Sequence, residues 1–227
     1  MTEIHSLQIS TIDEADVERW LGLLTPERRR RLESLHFRED FLRSLAAEAM
    51  LRILVGTKAG VPPHSLQIAR PEGGKPFLPD FPTIHFNISH AGDWAVCAIS
   101  DGAVGVDVEQ IKEREIKTAL LDKVLSESER AHWRASPSGE KAAVFYRCWT
   151  MKEAYAKCVG RGLGLDFTQI ETGSGAVTSL ATSPPAWLRT VDFVTGYALA
   201  VCTLTPGEVR LIRHCGLDPQ SPHIGYS

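Results

Sequence analysis

A chain of 227 residues, 43% hydrophobic and 23% charged, is long enough to bury a substantial core as one large domain or two small ones. Its formal net charge of −3 argues against a general nucleic-acid binder, so any anion site must come from locally clustered basic residues. No apolar run approaches the ~20 residues that span a bilayer, no secretory signal is expected, and five cysteines without a C-x-x-C fit a reducing, cytoplasmic compartment.

In chain order, Leu7 to Ile9 suits a short strand. Thr25-Pro26 predicts a helix start, an N-cap followed by proline at the first helical position. A longer helix follows over Glu39 to Val55, where Leu42, Leu45, Ala46, Ala49, Met50 and Ile53 recur with a 3.6-residue period. The stretch from Val61 to Pro82 reads as loop, with a short strand near Leu66 to Ala69. Strands are expected at Thr83 to Ile88 and Trp94 to Ser100, and Asp101-Gly102 signals a hairpin into a strand over Val104 to Glu109. The second half predicts helices near Ser126 to Ala135 and Lys141 to Val159. Strands near Phe167 to Glu171, Thr190 to Phe193 and Tyr197 to Thr203 follow. Ser174 to Pro185 reads as a loop, and the segment after Arg213 as a tail outside the core.

Two segments carry the chemistry. In Val104-Gly-Val-Asp-Val-Glu109, alternation puts Asp107 and Glu109 on one face, where like charges repel unless a cation lies between. Alone, such a pair also suits an exposed strand end. In Trp149-Thr-Met-Lys-Glu-Ala-Tyr-Ala-Lys157, Lys152, Glu153 and Lys157 lie off the apolar stripe, and Glu153 with Lys157 would otherwise be an ordinary surface pair. Three carboxylates with ammonium groups nearby can hold Mg²⁺ and a diphosphate together. Gly73-Gly74-Lys75 can approach a phosphate or simply turn. Ser89 and His90, at a strand end opening a loop, offer donors. Arg28 to Arg31 with Arg38 and Arg43 form the densest basic stretch, which can hold a further phosphate or, with acids interleaved, make a solvated helix face. Ser126 and Glu129 have the spacing of a capping box. Gly160-Arg-Gly-Leu-Gly164 follows a helix, so it is a helix stop and not a phosphate loop.

With Asn87-Ile-Ser-His90 and the helix through Arg43, Ala47, Leu51 and Arg52 as further landmarks, these segments resemble the 4′-phosphopantetheinyl transferases of the surfactin-synthetase-activating type. The resemblance runs from about Arg28 to Thr203. It implies an α+β fold of two similar halves related by a pseudo-twofold axis, here residues 1–105 and 106–212 with a tail at 213–227, and a site at their interface. It implies transfer of the 4′-phosphopantetheine group of coenzyme A to a serine of an apo acyl or peptidyl carrier protein. By position, Asp107, Glu109 and Glu153 would hold Mg²⁺. Arg28, Arg31, Arg43, Ser44, Lys75, Ser89, His90, Lys152 and Lys157 would contact coenzyme A. Lys157 would neutralise developing charge, and the base would be Glu153, a metal-bound water or Glu129. A monomer is expected, because one chain supplies both halves. A Mg²⁺-dependent nucleotide diphosphate hydrolase and a non-catalytic coenzyme A or carrier binder remain open at this point.

Overall fold

The computed structural model describes residues 1–113, 116–161, 164–173, 177–180 and 184–219, with the backbone alone at 177–180. It is a mixed α+β structure with two four-stranded sheets. The chain divides into two compact units. The first is Met1–Arg70, Pro76–Asp101 and the segment from Glu208 onward; the second is Pro71–Lys75 and Gly102–Gly207.

In the first unit, β1 (Thr2–Gln8) runs antiparallel to β3 (Trp94–Ser100) and parallel to β8 (Val209–His214), and β2 (His85–Ala91) pairs with β3. The β2–β3 hairpin turns at Gly92, whose φ of 53° favours glycine. Helix α1 (Glu14–Leu21) opens on a capping box between Asp13 and Asp16. Its two turns are too short for the periodicity argument to catch. Helix α2 (Pro26–Glu33) starts as its N-cap predicts, with the Thr25 side chain accepting from the Arg28 amide. Helix α3 (Arg38–Ala59) packs on β2 and β3, and Leu45, Met50 and Leu51 join Trp20 and Leu7 in the core.

The expected tail is tied into this unit as far as it is described. β8 extends through His214, whose Nε2 lies 2.9 Å from His5 Nδ1, and Leu217 is buried with its carbonyl accepting from Trp20 Nε1 at 3.2 Å. β-pairing to β1 outweighs the polar look of the segment. Residues 220–227 lie outside the described ones.

In the second unit, β4 (Val104–Gln110), β7 (Tyr197–Thr203), β6 (Ala186–Thr190) and β5 (Val177–Leu180) pair in that order, all antiparallel. Helix α6 (Lys141–Val159) lies on β4 and β7, with α4 (Thr118–Val124) and α5 (Glu127–Ala135) against it. Five local expectations are corrected. Asp101-Gly102 makes no hairpin, because β3 and β4 belong to different sheets. Leu66 to Ala69 forms only a single bridge, Ala69 to Phe77. Phe167 to Gln169 is a 3₁₀ turn, started by the Asp166 side chain accepting from the Thr168 amide. The strand expected at Thr190 to Phe193 lies earlier, at β6, and β5 occupies part of the expected loop, whose residues 174–176 and 181–183 lie outside the described ones. The same holds for residues 162 and 163 of the helix stop, which Gly160 opens in the left-handed conformation at φ 71°.

Candidate active site

β4 has no solvated face over its first five residues: Val104 to Val108 are all buried. Gly105 explains how. A Cβ built there would meet the Ala154 carbonyl oxygen at 2.0 Å and the Cys158 amide nitrogen at 2.4 Å. Only a residue without a side chain lets α6 come this close to the strand. Asp107, one pleat further on the same face, is therefore delivered to α6. It is 3% exposed, and Lys157 Nζ donates to its Oδ1 at 2.6 Å. The exposed-strand-end reading of the acids is excluded for Asp107.

Glu109 and Glu153 complete the group. Burial, then the charge of Asp107, push the Glu109 carboxyl up, while Trp149 Nε1 donates to its Oε1 at 3.1 Å. Burial and Asp107 also push Glu153 up, with Lys157 pulling it back. Glu109 and Glu153 thus share one field with Asp107 and the Lys157 ammonium, and both ionise less readily because of burial and the Asp107 charge. Hard carboxylate oxygens gathered in this way fit a hard divalent cation. Among the described residues no three His, Cys, Asp or Glu side chains already form a metal-holding cluster.

Trp149 is the site residue that motif reading missed as a participant. It stands four residues before Glu153, hence on the same helix face, and that spacing was the available signal.

Two expected site residues are elsewhere. Lys152 is fully buried, and its Nζ donates to the Val124 carbonyl at 2.7 Å, the Phe167 carbonyl at 2.8 Å and Glu129 Oε2 at 2.5 Å. All three ammonium protons are used inside the protein, which speaks against the expected contact with a coenzyme A phosphate. The apolar-stripe argument failed because α6 is buried on most sides, from Phe145 to Cys158. Glu129 is the other half of this pair. It caps α5 through the Ser126 amide and accepts from the Thr172 amide and hydroxyl at 2.9 and 2.7 Å. Burial alone would raise its carboxyl; Lys152 and Thr172 override that and hold it below the usual range. A carboxylate so held is a structural anion and a poor base.

Lys75 is partly buried, and its Nζ donates to the Val104 carbonyl at 2.5 Å; burial lowers its pKa. The remaining expected residues lie in the first unit. Arg28 Nε donates to Glu48. Arg31 is exposed on α2, and Ser44 is partly buried on α3. Arg43 donates to the Gly92 carbonyl at 2.9 Å and pairs with Asp40. Ser89 and His90 stand within β2, opposite Val96 and Ala95, rather than opening a loop; Ser89 is buried and His90 exposed.

Residues 103–202 match the family model of the 4′-phosphopantetheinyl transferase superfamily, and residues 12–101 match that of a 4′-phosphopantetheinyl transferase N-terminal region. A 4′-phosphopantetheinyl transferase of Aneurinibacillus migulanus is 32% identical over 76% of this chain and 73% of its own length. The chain belongs to the 4′-phosphopantetheinyl transferase superfamily. Two Bacillus 4′-phosphopantetheinyl transferases are also similar. The Sfp protein of B. subtilis is 28% identical over 86% of this chain and 88% of its own, and psf-1 of B. pumilus is 29% identical over 92% of each.

As a phosphopantetheinyl transferase, the chain is an enzyme. The 103–202 span of this transferase contains Asp107, Glu109, Trp149, Glu153 and Lys157 together. Among the described residues of the transferase, no helix is long and apolar enough to cross a membrane.

Proposed function

We propose that this chain transfers the 4′-phosphopantetheine group of coenzyme A to a serine hydroxyl of an apo acyl or peptidyl carrier protein, releasing adenosine 3′,5′-bisphosphate. The observation that carries the reading is the Lys157–Asp107 pair at 2.6 Å between α6 and β4, flanked by Glu109 and Glu153, in a chain of this family.

Asp107, Glu109 and Glu153 would hold Mg²⁺, which supplies charge neutralisation at the diphosphate when bound. The chain itself orients and shields. Trp149 fixes the Glu109 carboxylate, and Gly105 fixes the spacing of β4 from α6. The carrier serine oxygen forms a bond to the phosphorus that bears pantetheine. The bond from that phosphorus to the bridging oxygen breaks, and the electron pair leaves on adenosine 3′,5′-bisphosphate. Lys157 faces the negative charge that develops there. The serine proton passes to Glu153 or to water; Glu129 is already engaged by Lys152 and Thr172. The nucleophile belongs to the partner, so the chain needs none of its own. Free thiols at Cys97, Cys148, Cys158, Cys202 and Cys215 support a reducing, cytoplasmic setting, and one chain suffices as a monomer.

The test is a panel of purified apo carrier proteins with coenzyme A and Mg²⁺, read by intact mass for the added phosphopantetheine. A carrier that gains the group supports the reading. Coenzyme A cleaved at full rate without any carrier would make the chain a hydrolase instead, and binding without turnover would make it a non-catalytic binder.

A further inference from the structure

A pair of thiols in the second unit takes no part in the transfer step. Cys158, on the last turn of α6, is 4% exposed, and Cys202, on β7, is fully buried. Cys202 stands opposite Gly105 in the register of β4 with β7, on the face that α6 covers. Gly105 has no side chain to keep the helix away, so Cys158 comes down onto the strand pair and the two thiols meet in a hydrogen bond. Both belong to one apolar cluster. Cys158 Sγ lies 3.5 Å from the Ala103 carbonyl oxygen, and Cys202 Sγ lies 3.9 Å from that of Thr203.

The two sulfurs are not equivalent. The hydrogen bond from the Cys202 thiol, with the Lys75 charge and the Gly105 amide, holds the Cys158 thiol below its ordinary value against the effect of burial. The same hydrogen bond and burial push the Cys202 thiol up. Two buried thiols can simply fill space, but packing alone does not call for an ammonium drawn in beside them. Burial lowers the Lys75 pKa, and the charges of Cys158 and Cys202 pull it back. The thiolate is the nucleophilic form of cysteine. A thiolate beside an ammonium, with a protonated thiol in contact, is the arrangement of an attacking cysteine and a resolving one. Exposure agrees, since Cys158 has a small opening and Cys202 has none.

We propose that Cys158 and Cys202 form a reversible redox switch, in which a peroxide converts them to a disulfide that ties the end of α6 to β7 and slows the transfer. The Cys158 thiolate attacks one oxygen of hydrogen peroxide, the O–O bond breaks and hydroxide leaves, giving a sulfenic acid at Cys158. The Cys202 sulfur then attacks that sulfur, its proton departs with the hydroxyl as water, and the S–S bond closes. The two thiols together give two electrons to the peroxide. A dithiol reductant reverses the step by thiol–disulfide exchange. A covalent bond draws the sulfurs closer than hydrogen-bond contact and so shifts the last turn of α6. Lys157 precedes Cys158 on that turn, and its Nζ reaches Asp107 at 2.6 Å. The effect on rate rests on the transfer reading above; the disulfide does not.

The experiment titrates the full chain with hydrogen peroxide, in a Cys215→Ser background that removes the exposed thiol. A non-reducing peptide map follows the remaining thiols, and the transfer rate from coenzyme A to an apo carrier protein is measured alongside. A cross-linked peptide joining Cys158 to Cys202, lighter by two hydrogens than its parts, should accumulate. The transfer rate should fall about tenfold or more in step with it, as for a displaced charge-bearing group, and dithiothreitol should reverse both. Cys202→Ala should stop at a sulfenic acid on Cys158 that dimedone captures, and Cys158→Ala should give neither product. If either variant does not fold, the map of the parent chain still reads the cross-link. Cys158 and Cys202 both still reduced after the exposed Met1 has become a sulfoxide would overturn the pair. A complete cross-link with an unchanged rate overturns the switch and leaves the transfer reading standing. A chain that transfers nothing before peroxide is added overturns the transfer reading and the effect on rate, while the map still decides whether the disulfide forms.

Discussion

Lys152 Nζ lies 2.5 Å from Glu129 Oε2, with both side chains buried beneath α6 and α5. Removing one partner strands the other as a buried charge, which costs far more than a surface pair is worth. Lys152→Met should destabilise the chain by about 3–5 kcal/mol in chemical denaturation. Adding Glu129→Gln should recover part of that loss, because the stranded carboxylate disappears. A Lys152→Met protein with wild-type stability and a selective loss of coenzyme A affinity would return Lys152 to the substrate.

Gly105 allows no substitution for a reason of space. Gly105→Ala drives a methyl group against backbone atoms of Ala154 and Cys158, and neither can rotate away. Overpacking of this kind should cost roughly 3 kcal/mol and displace Asp107 from Lys157. Thermal unfolding and transfer rate should fall together; a variant equally stable and active would show that α6 can retreat freely.

Trp149→Phe keeps an aromatic ring and removes the indole N–H that holds Glu109. Stability should change by only about 1 kcal/mol. The Mg²⁺ concentration for half-maximal rate should rise about tenfold, as for other residues that orient metal ligands. A magnesium titration of initial rates reads this directly, and an unshifted midpoint would remove Trp149 from the site.

His5 and His214 stack with ring centroids 5.2 Å apart, and burial lowers their pKa values to about 3 and about 4. In the unfolded chain both titrate near 6.5, so between that value and about 4 the unfolded state binds more protons. Stability is therefore intact above pH 6.5 and falls as pH drops, by about 1.4 kcal/mol per pH unit for each histidine. Denaturation at stepped pH should show this slope, and His214→Asn should flatten it. An equal slope in the variant would place the acid sensitivity elsewhere.

The residues that sequence reading recovered are those whose environment is written locally. The Thr25-Pro26 start, the Ser126–Glu129 capping box, and the strands at Trp94 to Ser100 and Tyr197 to Thr203 follow from neighbours a few positions away. Asp107, Glu109, Glu153 and Lys157 were legible because strand and helix periods say which side chains share a face, and the structure brings them together. Lys152 departs from its expected place because its surroundings depend on burial by Val124 and Phe167, distant in sequence. β8 was invisible for the same reason: its partner β1 begins about 200 residues earlier.

The most direct test of the account is the rate at which coenzyme A labels an apo carrier protein in wild type, Asp107→Ala and Glu153→Ala, with circular dichroism confirming the fold of each. The account predicts Mg²⁺-dependent labelling by the wild type and a loss of about a hundredfold or more in both variants. Labelling by a folded Asp107→Ala or Glu153→Ala protein at the wild-type rate would contradict it.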